Sequence, residues 1–281
     1  MKRWIENLGD LTWCEAGEAF SKSPVVLLPL GAIEPHGPHL PLDSDVVIAT
    51  EVARRTAMKL KTKGVPALIL PPLSYATTDF AEGFPGRVSI SPETTTSLVR
   101  DVACSVIGQG LKKFALANAH LEPAHLEALH RAVSEIEART GVRPVFVDTT
   151  RAKWAKTLTE EYRRGECHAG AYETSLVMAV EPDSVRETLR KDLPPLHVDL
   201  AAKIRQGVKT FAAAGSEKAY FGDPASATPG DGHETYEILS EMIVAAVLEA
   251  WPAPAPRTNG TRAAEPAARP ASGNASGGTH P

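Results

Sequence analysis

Two short segments concentrate the residue types that bind metal ions and move protons. The first is Gly31-Ala32-Ile33-Glu34-Pro35-His36-Gly37-Pro38-His39-Leu40-Pro41-Leu42-Asp43-Ser44-Asp45, a glycine- and proline-rich stretch that holds five potential ligands. Residues two apart in extended backbone project to the same side, so Glu34 and His36 can meet one cation or two neighbouring ones. Asp45, at the expected start of a helix, can turn back toward them. The second segment is Asn118-Ala119-His120-Leu121-Glu122, again a His and a Glu two apart. A single His-x-Glu pair reads as a solvated loop. Two such pairs, each after an expected strand, point to a shared metal centre.

Charge favours two metals over one. Glu34, Asp45 and Glu122 bring three negative charges, while neutral His36 and His120 bring none. A single dication leaves one negative charge and two leave one positive charge, which a bridging hydroxide balances. Two dications roughly 3.5 Å apart are the usual arrangement for activating a water toward a carbonyl carbon. With no thiolate among the ligands, the carboxylate and imidazole set suits Zn²⁺, Mn²⁺ or Fe²⁺.

Alternating strands and helices must position these groups. Val25–Leu30 is a bounded apolar run that reads as a strand, after which Ser44 or Asp45 is expected to cap a helix. A second strand is expected over 67–70, stopped by Pro71-Pro72. Ser91-Pro92-Glu93 opens the next helix, which Gly108 or Gly110 ends. Strand three over 113–117, a helix from about Glu122 to Gly141, and strand four over 144–147 complete the series. This alternation predicts an α/β protein, a three-layer α/β/α arrangement with a mostly parallel central sheet. In such sheets, sites form where loops leave the carboxyl ends of strands.

The 281 residues are 43% hydrophobic and 23% charged, enough for one large domain over 1–251. From Pro252 the composition turns to Ala, Pro, Gly and Ser without periodicity, and a disordered tail over 252–281 is expected. A net charge of −4 argues against a nucleic-acid partner. The three cysteines, few and far apart, fit no disulfide framework or thiolate zinc site. The acidic residues near the start fit no signal peptide, and no run approaches the ~20 apolar residues that span a bilayer. A cytoplasmic protein without a membrane partner is the expectation.

The two metal-binding segments resemble the creatininase (creatinine amidohydrolase) family. The resemblance extends to His168-Ala169-Gly170-Ala171-Tyr172-Glu173-Thr174-Ser175 and to Gly222-Asp223-Pro224-Ala225-Ser226-Ala227-Thr228, in the family's order. It implies an α/β/α subunit, two divalent metal ions per subunit, a homohexamer, and hydrolysis of a carbon–nitrogen bond in a small molecule. Carried over by motif, Glu34, His36, Asp45, His120 and Glu122 are the ligands, with Asp45 the bridge. His168, Glu122 and Glu173 carry the catalytic roles. His168 protonates the leaving amine, a poor leaving group otherwise, and Gly170 leaves space beside it. Glu173 orients that imidazole or holds substrate, against the plainer reading of a helix N-terminal carboxylate.

Other candidates have quieter readings. His39 fixes its loop by hydrogen bonding, His125 and His130 are surface or helix-packing residues, and His233 sits in solvent in a glycine-rich turn. Cys167 adjoins His168, but neighbouring side chains point apart, which argues against a dyad. The tryptophan that clamps creatinine ahead of the His-Ala-Gly motif is missing from Tyr162-Arg163-Arg164-Gly165-Glu166-Cys167. Trp154 supplies either an aromatic wall or a buried helix face. Arg87, Arg163 and Arg164 offer guanidinium groups to an anionic substrate.

These features put first a binuclear amidohydrolase that opens a small cyclic amide by hydroxide attack. The alternatives are the family's deformylase or peptidase role on a formamide or peptide terminus, and a metal-binding oligomeric scaffold without turnover. Deleting the chain after about Ala250 is expected to leave stability and activity nearly unchanged. A large drop in melting temperature would refute the disordered tail.

Overall fold

β1 (Val25–Leu30) is apolar at every position and buried along its whole length, as a strand covered on both faces must be. The computed structural model describes residues 7–253. β1 pairs in parallel with β2 (Ala67–Ile69) on one side, and with β3 (Lys113–Asn118) on the other, Val25 opposite Lys113 and Leu30 opposite Asn118. β4 (Val145–Phe146) extends the sheet beyond β3, giving the order β2-β1-β3-β4. The chain leaves β1 toward β2 and leaves β3 toward β4, in opposite directions. The crevice between the carboxyl ends of β1 and β3 is therefore the topological switch point, where such sheets bind ligands.

Eleven α-helices are present among the described residues: α1 (Trp13–Phe20), α2 (Ser44–Thr62), α3 (Pro92–Gly108), α4 (Pro123–Thr140), α5 (Ala152–Ala155), α6 (Glu160–Arg163), α7 (Ala171–Val180), α8 (Glu187–Lys191), α9 (Leu200–Arg205), α10 (Phe211–Ala214) and α11 (Pro229–Ala250). Alternate residues of β1 feed opposite faces. Val25 and Leu27 pack with Ile48 and Val52 of α2, Leu176 of α7 and Val247 of α11. Val26, Leu28 and Leu30 pack with Val99 of α3 and with Leu129 and Ile136 of α4. The result is the expected three-layer α/β/α architecture. A third, smaller cluster, with Leu200, Phe211 and Phe221, forms in the run of short helices for which the sequence shows no period.

Several local expectations hold and others shift. Ser91 accepts the Thr94 N–H to cap α3, and Gly141 ends α4 in the left-handed region at φ 70°. At α2 the cap is neither Ser44 nor Asp45. Asp43 occupies that position without a side-chain bond, Ser44 Oγ donates to the Pro41 carbonyl, and the Asp45 carboxylate faces two imidazoles. The polar groups that would cap the helix are used elsewhere. Of the expected tail only Pro252 and Ala253 fall among the described residues. Trp251 is partly buried against the first cluster, so a cut that tests the tail alone must leave it in place. No helix among the described residues is long and apolar enough to cross a membrane.

Gly232 lets α11 lie directly on α7, since a Cβ there would collide with the Ser175 carbonyl. Because backbone rather than a flexible side chain is in the way, Gly232→Ala is expected to destabilise by about 1–3 kcal/mol. The melting temperature should fall by several degrees. An unchanged thermal melt would show that α7 shifts at no cost.

Candidate metal centre

The loops that leave β1 and β3 bring Glu34, His36 and Asp45 against His120 and Glu122, and the first turn of α7 adds Glu173. All six side chains are buried. Each imidazole is oriented by a carbonyl. His36 Nδ1 lies 3.0 Å from the Glu34 carbonyl, and His120 Nε2 lies 2.8 Å from the Thr77 carbonyl. Carbonyls only accept, so those nitrogens carry the protons of the neutral rings, leaving His36 Nε2 and His120 Nδ1 as bare lone pairs.

Both bare nitrogens face carboxylates. His36 Nε2 stands 3.3 Å from Asp45 Oδ1 and 3.6 Å from Glu173 Oε2. His120 Nδ1 stands 3.0 Å from Asp45 Oδ2 and 3.1 Å from Glu34 Oε1. Asp45 thus turns one oxygen to each imidazole, the posture of a bridging carboxylate. Ligand atoms on a tetrahedral zinc with bonds of about 2.0–2.1 Å stand roughly 3.3 Å apart, close to these separations. His36 Nε2 and Asp45 Oδ2 have no hydrogen-bond partner. With His120 neutral, the approach of Asp45 Oδ2 to its Nδ1 is no exception, because the proton is on the other nitrogen; with His120 charged, that approach becomes a hydrogen bond.

Electrostatics agree with that geometry. Burial would strip the proton from His36, yet Asp45, Glu173 and Glu34 override it and hold the imidazole up at about 10. His120 is raised well above its usual range against burial by Glu34 and Asp45. Burial opposes ionisation of Asp45 and Glu34 as well, but the imidazoles hold both below the usual carboxylate range. At Glu173 burial wins, pushing its pKa up to about 8, and it also raises Glu122. The cluster draws cations, whether protons or metal ions, to the lone-pair positions. Its carboxylate and imidazole donors fit Zn²⁺, Mn²⁺ or Fe²⁺.

One placement adds to the sequence reading, and Glu122 keeps its expected place among the candidate donors. Glu173 joins His36 and Asp45 as a candidate metal donor, so the carboxylates number four and match the formal charge of two dications. Glu122 lies beside Glu34 and His120, but one of its oxygens is engaged, accepting the Phe80 N–H at 3.1 Å. His168 is close by. Its Nε2 lies 3.0 Å from the Pro35 carbonyl, its Nδ1 lies 3.9 Å from Glu34 Oε1, and its ring stacks on Phe211 at 4.1 Å. Burial and the neighbouring His36 pull its pKa down to about 4.

A cleft of ≈ 790 Å³ opens from this cluster. Its lining includes Leu126 and His130 of α4, Leu200 and Ile204 of α9, Phe211, and the exposed Arg151 and Arg205. The three arginines expected at the substrate line none of it. Arg87 pairs with Asp79 at 2.9 Å, Arg164 with Glu160 at 3.1 Å, and Arg163 is exposed. Trp154 packs against the first core cluster rather than walling the cleft.

The remaining histidines are mixed. His39 is buried with its Nε2 2.9 Å from Thr174 Oγ1, a structural bond as expected. His125 is a packing residue, held 2.9 Å from Asn118 Oδ1. His130 is more than surface, since it lines the cleft and bonds Asp148 at 2.9 Å. His233 is exposed, but on the first turns of α11 and 2.9 Å from an Arg55 nitrogen. Burial pushes the Cys167 thiol up to about 12, which rules out a ready thiolate. Phe211, Arg151 and Arg205 escaped the sequence reading because they lie on loops and short helices without periodicity. For Glu173, the available signal was its place five residues after His168, within the same motif.

The creatininase (creatinine amidohydrolase) family model matches residues 9–247. The mycofactocin precursor peptide peptidase of Mycobacterium tuberculosis (strain ATCC 25618 / H37Rv) is 32% identical over 263 residues, 90% of this chain and 96% of that protein. The creatinine amidohydrolase of Pseudomonas putida is 29% identical over 206 residues, 67% of this chain and 76% of that protein. A solved creatininase variant superposes with a TM-score of 0.70 at 25% identity, over 89% of this chain and 100% of the other.

Because Asp45 faces both imidazoles, Asp45→Ala is expected to abolish uptake of both dications, while Glu173→Ala abolishes one. Elemental analysis after reconstitution and desalting reads the count. Full metal content in Asp45→Ala would remove the bridge.

Proposed function

The chain belongs to the creatininase family, and from that premise we propose that it is a metal-dependent hydrolase cleaving the carbon–nitrogen bond of a peptide. The size of the cleft carries this choice. A creatinine-sized ring displaces on the order of 100 Å³, judged against ~30 Å³ for a water, whereas the cleft measures ≈ 790 Å³. Its lining takes in both the candidate metal donors and Arg151 and Arg205. The missing tryptophan clamp points the same way, as does the peptidase relative, which spans more of the chain than the creatinine amidohydrolase relative. Ring opening, first on sequence grounds, becomes the second reading.

Glu34, Asp45 and His120 would hold one dication, and His36, Asp45 and Glu173 the other. When bound, such ions acidify water and polarise a carbonyl oxygen. Glu122 accepts backbone bonds from Phe80 and Asp79 beside the donors, and its pKa, raised by burial, suits it to take up a proton from the attacking water. His168 donates its Nε2–H to the Pro35 carbonyl, so exchange with the leaving amine runs through Nδ1. With its pKa drawn down to about 4, His168 is neutral at rest and must be charged within the cycle before it acts as the acid. Leu200, Ile204 and Phe211 give the cleft an apolar wall that excludes water from the scissile bond.

Metal-loaded protein assayed against short peptides, formamides, lactams and creatinine tests this reading. Peptide cleavage is expected, with His168→Ala keeping its metal and losing roughly 10²- to 10⁴-fold in kcat. Creatinine turnover with kcat/KM of ~10⁴ M⁻¹s⁻¹ or above, with no peptide cleaved, would establish ring opening instead. Loss of metal from His168→Ala would make His168 a ligand.

A further inference from the structure

Glu161 of α6 is a buried carboxylate outside the metal centre, and its oxygens lie between two separate stretches of backbone. Oε2 accepts the Ala171 N–H at 3.0 Å and the Asp223 N–H at 2.8 Å, and Oε1 accepts the Tyr172 N–H at 2.8 Å. Ala171 and Tyr172 are the first two residues of α7, and the third is Glu173. Glu161 therefore satisfies two donors that α7 cannot satisfy internally, with a negative charge at the positive end of the helix. Both neighbouring glycines make room for it. A Cβ on Gly170 would stand 2.5 Å from Glu161 Oε1, and one on Gly222 would collide with Oε2. The space that Gly170 leaves is thus filled by this carboxylate and the Phe221 carbonyl.

The second stretch leads back to His168. Phe221 N–H donates to the His168 carbonyl at 2.8 Å, and Phe221 meets Phe211 edge-on, the ring on which His168 stacks. We propose that Glu161 is a positioning residue, clamping the first turn of α7 to the backbone at 221–223 and so placing Glu173 and His168 for the metal centre. This rests on Glu173 being a metal donor. The clamp requires a carboxylate. A glutamine whose oxygen served Ala171 and Asp223 would aim its NH₂ at the Tyr172 N–H, donor against donor.

The test compares wild type, Glu161→Gln, Glu161→Asp and the core variant Val247→Ala, which touches neither stretch. Each is titrated with Zn²⁺ against a chromophoric chelator, its Co²⁺ visible spectrum is recorded, and hydrogen exchange is followed at Ala171, Tyr172 and Glu173. In Glu161→Gln, one of two affinities is expected to fall about 10- to 100-fold, with altered Co²⁺ bands and faster exchange at those three amides. Glu161→Asp, charged but one methylene shorter, must release at least one donor and should fall between, and it replaces the glutamine variant if that does not fold. Val247→Ala should melt earlier with both affinities unchanged. Unchanged affinities and spectrum in both Glu161 variants, or equal loss at both sites, would overturn the proposal. Failure of wild type to take up a second metal would overturn the metal reading itself, while exchange at the three amides would still decide whether Glu161 clamps the turn.

Discussion

Two imidazole lone pairs and four carboxylates share one buried space at the head of the cleft, and the rest of the molecule either delivers these groups or stops them from separating. The arrangement follows from two ordinary hydrogen bonds. His36 gives its Nδ1–H to the Glu34 carbonyl and His120 gives its Nε2–H to the Thr77 carbonyl. With those protons committed, the remaining nitrogens must face Asp45, Glu34 and Glu173, and acceptors face acceptors. Burial without compensation is costly for each such group. Only a cation between them reverses the sign, so proton uptake and metal uptake compete for the same positions.

The sheet makes this concentration of charge possible. β1 and β3 are adjacent and parallel, and their carboxyl ends open at the switch point, so the Glu34 and His120 loops meet without any long excursion. Glu173 arrives from another direction, on a helix held by its close approach to α11 at Gly232. The donors therefore hang from elements whose own positions are set by apolar packing on the covered face of β1. Little of the cost of gathering like charges falls on flexible loops.

The part of this design legible in the sequence is the part with a short-range period. β1, β3, α3 and α4 fall where runs, caps and helix-ending glycines place them, and the Glu-x-His and His-x-Glu pairs announce themselves because residues two apart share one side of extended backbone. Glu173 was legible as important but not as a metal donor, since a carboxylate in a first helical turn already has a sufficient local reason to be there. Outside α7, segment 150–228 shows neither period, because its helices α5, α6, α8, α9 and α10 are one or two turns long. Arg87 and Arg164 misled for a related reason. A guanidinium is read from sequence as available, but Asp79 and Glu160 engage these two, and long-range placement puts Arg151 and Arg205 at the cleft instead.

That less legible segment is where substrate choice resides. The candidate metal donors come from the loops after β1 and β3 and from the first turns of α2 and α7, whereas the apolar cleft wall comes from α9 and α10, packed on a cluster of their own. The two parts meet at one ring. Phe211 belongs to that cluster, lines the cleft and stacks on His168, so one ring forms both a cleft wall and a cover for that imidazole. Filling the cleft would cover the part of His168 still exposed there and so strengthen the charge interactions it makes. On the proposed function, binding and proton transfer are linked through Phe211, and changing the wall would change both together. One fold can then serve relatives named for creatinine hydrolysis and for peptide cleavage, with function set by what is packed around the site rather than by the fold.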